Sequence, residues 1–341
     1  MRKAFLFILI AIIVIFAFCL WQVFGPTLSN PNKKFLYIKT NSTYRQVKDS
    51  LQKNGILTGF FWFDKIADYA KYPKNIKPGK YKITDGMSMY DLVKMLRSGR
   101  QVPVNLVITK LRTKEDLAKK IAINFEIDSL TAISFLNNND SLAKFDVDSN
   151  TVMTDVIPNT YTYRWTTSIQ NIFKKLNKEE EKFWNKERLQ KAQRLQLTPK
   201  EVYTLASLVE EETNRQSDKG KIASVYLNRI KKGMRLAADP TVKFAMKDFE
   251  LKRIYHKHLE FESPYNTYRN AGLPPGPICT PSIKTIDAVL DAPDTDYLFF
   301  VARADFSGYS DFAATYQQHL MYAKAYQQAL DSLIKSRQEN N

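Results

Sequence analysis

The sequence predicts an α+β protein: an N-terminal transmembrane helix, a small α+β module, and a larger, mostly helical C-terminal part with a minor sheet. Three observations predict it. Residues Ala4–Phe24 form an uncharged apolar run, and at about 1.5 Å per residue such a run crosses a hydrocarbon core of ~30 Å. Short strand-like segments then alternate with capped helices as far as Gly99. From Thr198 onward, helical periodicity is punctuated by loops rich in Pro and Gly. A chain of 341 residues with 44% hydrophobic content can supply an anchor plus two or three small cores.

The first element reads as a retained anchor. A cleaved leader has a shorter apolar run and small residues at its cleavage site. Here the run ends in bulky Leu20, Trp21, Val23 and Phe24, and Phe18 precedes Cys19 where a lipoprotein signal places a small residue. Arg2 and Lys3 directly precede the span, which predicts a cytoplasmic N-terminus. Everything beyond about Gly25 is then extracytoplasmic, on a single-pass protein of the cytoplasmic (inner) membrane. Cys19 and Cys279 are the only cysteines, so no intramolecular disulfide is expected. The 51 Lys and Arg against 35 Asp and Glu are spread over many amphipathic segments. That pattern suits an anionic lipid surface or wall polymer and excludes nucleic acid as the favoured partner.

Residues 25–34 read as a polar linker broken by Pro26 and Pro31. The module at 35–100 begins with a strand at Phe35–Lys39 and a helix over Thr43–Asn54 that Gly55 stops. An aromatic helix over Phe60–Tyr69, a strand over Gly79–Ile83 and a helix capped by Ser88 and stopped by Gly99 complete it. No cluster of acids, histidines or nucleophiles stands out there. Residues 101–197 form an intermediate region: a strand at Val102–Ile108, helices at Thr113–Ala122 and Ser129–Leu136, and a polar loop at Asn137–Asp140. An irregular aromatic stretch at Asn150–Trp165 and one long charged helix over Ser168–Leu195 follow. Residues 198–335 are the candidate catalytic domain, and 336–341 a frayed polar tail.

That last domain opens on Thr198-Pro199-Lys200-Glu201, a capping box with Pro at the first helical position. Val202, Leu205 and Val209 mark an apolar side of the helix, and Glu210, Glu211 and Glu212 close it. At about 100° per residue, Glu211 projects away from the stripe, Glu210 lies at its flank, and Glu212 falls inside it with Thr213. A carboxyl held in a partly dry place has its charged form disfavoured, which suits a general acid. An acidic run at a helix end is otherwise a solvated surface. In the next helix Ile222, Val225, Tyr226 and Ile230 give the apolar face, and Asn228 interrupts it, bonding either a neighbouring loop or a ligand.

Several separated segments share one resemblance, in order: ASLVEEET (Ala206–Thr213), KIASVYLNRIKKGMRL (Lys221–Leu236), DPTV (Asp239–Val242), SPYNTYRNAGLPPGPI (Ser263–Ile278), YLFFVA (Tyr297–Ala302) and FAATYQQH (Phe312–His319). They resemble the endolytic murein transglycosylase family, also called MltG or YceG-like. The resemblance implies a lytic transglycosylase, a carbon–oxygen lyase that cleaves the MurNAc–GlcNAc β-1,4 bond inside glycan strands and leaves a 1,6-anhydro-MurNAc end. It implies Glu212 as the catalytic residue, a LysM-like subdomain at 35–100, and no cofactor or metal. Implied partners are peptidoglycan strands, the membrane and penicillin-binding synthases. In this reading Tyr265, Asn266, Thr267 and Tyr268 line the sugar groove beside a rigid Gly272–Gly276 loop, with Thr213, Asn228 and Asp239 as further candidate contacts. Competing readings are a muramidase using water, with Asp239 as second carboxylate, and a non-catalytic wall-binding scaffold. The chain departs from the family at Ala237, where Gln is usual, at Asn159 after Pro158, where Asp is common, and at Ser310-Asp311, where a histidine often precedes Phe312.

Overall fold

The computed structural model describes residues 2–28 and 34–339. Residues 29–33 of the expected linker, and 340–341 of the expected tail, lie outside the described residues. The chain divides into two compact units: Met1–Leu106 with Ile121–Asp128 and Thr162–Ser168, and Val107–Lys120 with Ser129–Tyr161 and Ile169–Asn341. The intermediate region at 101–197 thus contributes to both.

The first unit opens with α1 (Arg2–Phe24), a 23-residue helix that buries none of its side chains and is long and apolar enough to cross a membrane. After it come β1 (Phe35–Ile38), α2 (Tyr44–Lys53), α3 (Phe61–Tyr69), β2 (Gly79–Lys82), α4 (Met89–Ser98) and β3 (Val104–Val107). Strands β1 and β2 pair antiparallel, from Phe35 opposite Lys82 to Ile38 opposite Gly79. Their inward residues Leu36, Ile38 and Tyr81 meet Val47, Leu51, Phe63, Leu92 and Leu96 in one core. Thr43, not singled out in the sequence, closes a capping box with Gln46. The expected Ser88 cap and Gly99 stop are where the sequence places them: Ser88 accepts from the Asp91 N–H, and Gly99 ends α4 in the left-handed region at φ 72°. A side chain at that φ is strained, which is why glycine serves there.

The remaining elements are α5 (Lys114–Asn124), α6 (Ser129–Asn137), α7 (Asn139–Leu142), β4 (Thr160–Tyr163), α8 (Ile169–Phe183), α9 (Lys186–Arg194), α10 (Pro199–Glu212), α11 (Gln216–Lys231), α12 (Asp239–Met246), α13 (His256–Leu259), α14 (Ile283–Leu290), β5 (Phe299–Ala302), β6 (Ser310–Ala313) and α15 (Tyr316–Glu339). Four expectations are corrected here. The single helix over Ser168–Leu195 is two, because buried Trp184 and exposed Asn185 interrupt it, and the Asn185 side chain caps α9 by accepting from the Arg188 N–H at 3.0 Å. The stretch read as irregular contains β4, which pairs with β3. Its period of two is carried by tyrosines, Tyr161 and Tyr163 facing inward. The loop at Asn137–Asp140 holds the start of the one-turn helix α7, capped by Asn138. Finally, α15 continues through most of the expected tail, to Glu339.

In the second unit, α10 lies at the centre of the core, in contact with α11, α12, α14 and α9. The hairpin of β5 and β6, paired antiparallel from Phe299 opposite Ala313 to Ala302 opposite Ser310, is its minor sheet.

Candidate active site

Helix α10 starts at the expected capping box, with Thr198 accepting from the Glu201 N–H and Glu201 reaching back to the Thr198 backbone. Every residue from Val202 to Val209 is buried, including Tyr203, Thr204 and Ser207. The helix is therefore enclosed on all sides, not merely along one stripe, and lying in the stripe does not by itself separate the three glutamates that follow. Their partners do.

Glu210 receives Lys219 Nζ at 2.8 Å, along with the hydroxyls of Ser282 and Thr285. Burial alone would raise its carboxyl, but these donors outweigh it and hold the pKa below the ordinary value. Glu211 projects away from the α10 stripe, as expected, but not into solvent. Lys110 at 2.7 Å and Arg112 at 3.4 Å meet it there. Glu212 is the exception: among the described residues it has no ion-pair partner. Its Oε1 accepts a 2.6 Å hydrogen bond from the Tyr226 hydroxyl of α11, and Tyr226 is itself 1% exposed. Burial is the main reason its pKa rises to about 7. The Tyr226 bond opposes the rise, the nearby Asp239 charge adds to it, and the Arg229 charge reduces it.

Asp239 opens α12 and accepts from the Tyr268 hydroxyl at 2.6 Å. Burial first, then this bond and the Glu212 charge, push the Tyr268 phenol upward. Arg229 is tied down by the Leu298 and Leu236 carbonyls, at 2.8 and 2.5 Å. Glu212, Tyr226, Arg229, Asp239 and Tyr268 thus form one electrostatically coupled group. Sequence reasoning picked three of the five. Tyr226 is read in the sequence as part of the apolar face and Arg229 only as part of the segment Lys221–Leu236, although a tyrosine hydroxyl on an apolar face needs a partner and was the available signal.

The other candidates are placed elsewhere. Thr213 has left the helix (φ −149°, ψ 144°), and its hydroxyl accepts from the Arg215 N–H. Helical projection therefore does not apply to it, and no bond joins it to Glu212. Asn228 donates to the Thr295 and Tyr297 carbonyls at 2.8 and 3.0 Å, the loop contact considered for it. Asn266 is fully buried, donates to the Leu259 and Phe261 carbonyls and accepts from the Tyr268 N–H. With its amide fully engaged inside the protein, it shapes the loop instead of facing a ligand. Thr267, also buried, bonds the Ala238 N–H and the Thr241 hydroxyl, and so fastens the strand of chain leading into Asp239 to the one carrying Tyr268. Tyr265 packs against Phe244, ring centroids 4.8 Å apart, and lines a cavity of about 200 Å³ with Arg112, Lys114 and Pro277.

The departures noted in the sequence are also located. Ala237 takes a left-handed φ of 48° and donates its N–H to the Thr267 carbonyl. The Asn159 carbonyl accepts from the Ile108 N–H at 2.8 Å. Asp311 pairs with Arg303 across the hairpin, and Ser310 donates its N–H to Asp218.

The sequence profile of the YceG-like family matches residues 36–325. This chain belongs to that family. It is 28% identical over 319 residues to the endolytic murein transglycosylase of Bacillus subtilis (strain 168), covering 87% of each chain. It is also 28% identical over 300 residues to the endolytic murein transglycosylase of Streptococcus pneumoniae serotype 2 (strain D39), covering 78% of this chain and 53% of the relative. The chain thus spans about half the length of that streptococcal relative. Among solved structures, a yceG-like protein, lmo1499, from Listeria monocytogenes superposes with a TM-score of 0.57 at 27% identity, over 84% of this chain and 97% of that one.

Proposed function

We propose that this protein is an endolytic murein transglycosylase: it cleaves the MurNAc–GlcNAc β-1,4 bond within peptidoglycan strands and leaves a 1,6-anhydro-MurNAc end. The observation that carries the reading is that, among the described residues, Glu212 alone of three adjacent glutamates has no ion-pair partner, and it is the one whose pKa is lifted to about 7. A carboxyl so poised can give and take a proton near neutral pH. In the first half of the reaction, protonated Glu212 donates to the glycosidic oxygen as the C1–O bond breaks. The substrate's own 2-acetamido group shares the charge that develops at the anomeric carbon. In the second half, the C6 hydroxyl oxygen bonds to C1 and its proton goes to Glu212, which returns the acid to its starting form. No water is consumed, so one carboxylate serves both halves. Tyr268 and Asp239 border the carboxyl and would contact sugar hydroxyls. Tyr226 is a positioning residue, holding Glu212 through its hydroxyl.

Helix α1 serves in this reading as a single-pass anchor in the cytoplasmic membrane with its N-terminus inside. The 35–100 module is a LysM-like subdomain that holds the glycan, and 198–335 is the catalytic domain. Work on nascent strands beside penicillin-binding synthases follows from that placement.

The test is product analysis. Peptidoglycan digested with the full chain in detergent should give fragments ending in anhydro-MurNAc when weighed by mass spectrometry. Reducing ends carrying one added water would establish a muramidase instead, and no cleavage would leave a binding scaffold.

The pH dependence supplies a second test. The acid form of Glu212 is lost as pH rises through its pKa, so kcat/KM should fall about tenfold per unit above roughly pH 7. Tyr226→Phe removes a donor that favours the ionised carboxylate, so the alkaline limb should move upward by about one pH unit or more. A limb that stays in place in the variant would mean that the phenol does not set the proton affinity of Glu212.

A further inference from the structure

The last turn of α1 does not stand free of the module that follows it. Leu28 enters the core of the first unit, its N–H donating to the Met87 carbonyl at 3.2 Å. The Phe24 ring lies 5.3 Å from that of Tyr90 on α4. Between this turn, α3 and α4 is a cavity of about 620 Å³. Its walls are apolar and aromatic, with Val23 and Phe24 on one side and Trp62, Ile66 and Val93 on the other. Its rim carries Lys65, Lys94 and Arg97.

None of these three cations has a carboxylate partner among the described residues. Lys65 lies over the Phe61 ring and Lys94 over the Tyr90 ring, at 6.0 and 5.5 Å. Arg97 bonds among the described residues through its Nε, to the Ala70 carbonyl at 3.0 Å. Of the carboxylates on α3 and α4, Asp64 is paired with Lys48, and Asp68 and Asp91, the latter accepting only from the neutral Ser88 hydroxyl, are set against three positive charges.

Position decides what this combination fits. A helix of 23 residues is about 35 Å long, slightly more than the hydrocarbon core, so its last turn comes out at headgroup depth. Exposed aromatics accompany the cavity: Trp21 near the end of α1 and, on α3, Phe61 and the cavity-lining Tyr69, which is 92% exposed. Tyrosine and tryptophan favour that interfacial depth. We infer that the cavity between α1, α3 and α4 is a binding site for an anionic glycerophospholipid of the leaflet in which α1 ends, acyl chain along the aromatic wall and phosphate among Lys65, Lys94 and Arg97. The inference rests on the proposal that α1 spans the membrane. Its consequence is that the first unit is held at a fixed tilt on the lipid surface, so that it does not swing on α1.

The test uses the full chain in nanodiscs of phosphatidylcholine with or without phosphatidylglycerol, each lipid supplied in a photoreactive form, with crosslinks mapped by mass spectrometry. Phosphatidylglycerol should label the α3 and α4 segments in preference to phosphatidylcholine, and excess inorganic phosphate should not displace it. Replacing Lys65, Lys94 and Arg97 by Gln should lower that preference by about fivefold per cation, with the thermal midpoint of the parent retained. Equal labelling by both lipids, displacement by phosphate alone, or a triple variant that labels like the parent overturns the site. A chain that floats with vesicles but shows no lipid preference sinks this inference only. A chain that floats with none sinks the anchor as well.

Discussion

Replacing Glu212 by Gln should lower the rate of glycan cleavage by about 10²–10⁴-fold, the usual worth of a positioned acid–base group. The substitution keeps the shape of the side chain and an oxygen to receive the Tyr226 hydroxyl, so little else changes. It should also stabilise the protein, in a pH-dependent way that an ordinarily solvated glutamate would not show. The folded-state pKa of Glu212 is raised from the ordinary 4.5 to about 7. Below pH 4.5 the folded and unfolded chains both hold the proton, and the variant gains nothing. Between 4.5 and 7 only the folded chain holds it, so parent stability declines as pH rises through that window. Above 7 the parent carries a poorly solvated charge that the variant lacks, a difference of up to about 3 kcal/mol. Thermal unfolding of parent and variant at pH 4, 6 and 8 should therefore coincide at the first and diverge at the last. A constant difference across that range would place the carboxyl in an ordinary solvated setting and remove the basis for its catalytic role.

How much of this was legible in the sequence depended on the range of the interactions. Features made by neighbours a few residues apart were readable. The capping box at Thr198, the Ser88 cap and the Gly99 stop are all present at the expected residues. The singularity of Glu212 was half readable. Projection marked it out, but the structure distinguishes it by what its neighbours in sequence obtain from afar. Lys110 and Arg112 arrive at Glu211 from about a hundred residues upstream, and Ser282 and Thr285 arrive at Glu210 from about seventy downstream. No local pattern encodes those meetings. Asn266 shows the opposite error. A polar residue among tyrosines suggests a sugar contact, yet the amide turns inward and donates to the Leu259 and Phe261 carbonyls of the loop around it. Asn185 was invisible for a similar reason: a helix-period pattern on both sides of it hid a cap that restarts the helix.

The second large effect expected is on stability, at the junction of α10, α11 and α14. The Lys219 side chain is 7% exposed and gives its ammonium to Glu210 and to the buried Thr285 hydroxyl, at 2.8 and 2.6 Å. Lys219→Met keeps the length of the stem but leaves Glu210 buried without its cation, and removing one partner of a buried pair costs about 3–5 kcal/mol. In a unit of this size the midpoint of unfolding should drop by roughly 6–20 °C at pH 7. The pH dependence again fixes the cause. The Glu210 pKa is depressed in the folded parent, so the pair contributes its stability above the ordinary carboxylate pKa and loses it as pH falls through the folded value. The gap between parent and variant should accordingly narrow in acid. A second change, Glu210→Gln in the Lys219→Met background, removes the stranded charge and should recover most of the loss, because an uncharged site costs far less than an uncompensated ion. Should the double variant be no more stable than Lys219→Met alone, the loss would lie in packing around α11 and not in the ion pair. Glu210 stands two residues before Glu212 on the same last turn, so the pair also fixes where the helix ends. Loosening it should lower cleavage through misplacement of Glu212, and recovery of rate in the double variant would show that the buried pair at Glu210 and the lone carboxyl at Glu212 are two parts of one arrangement.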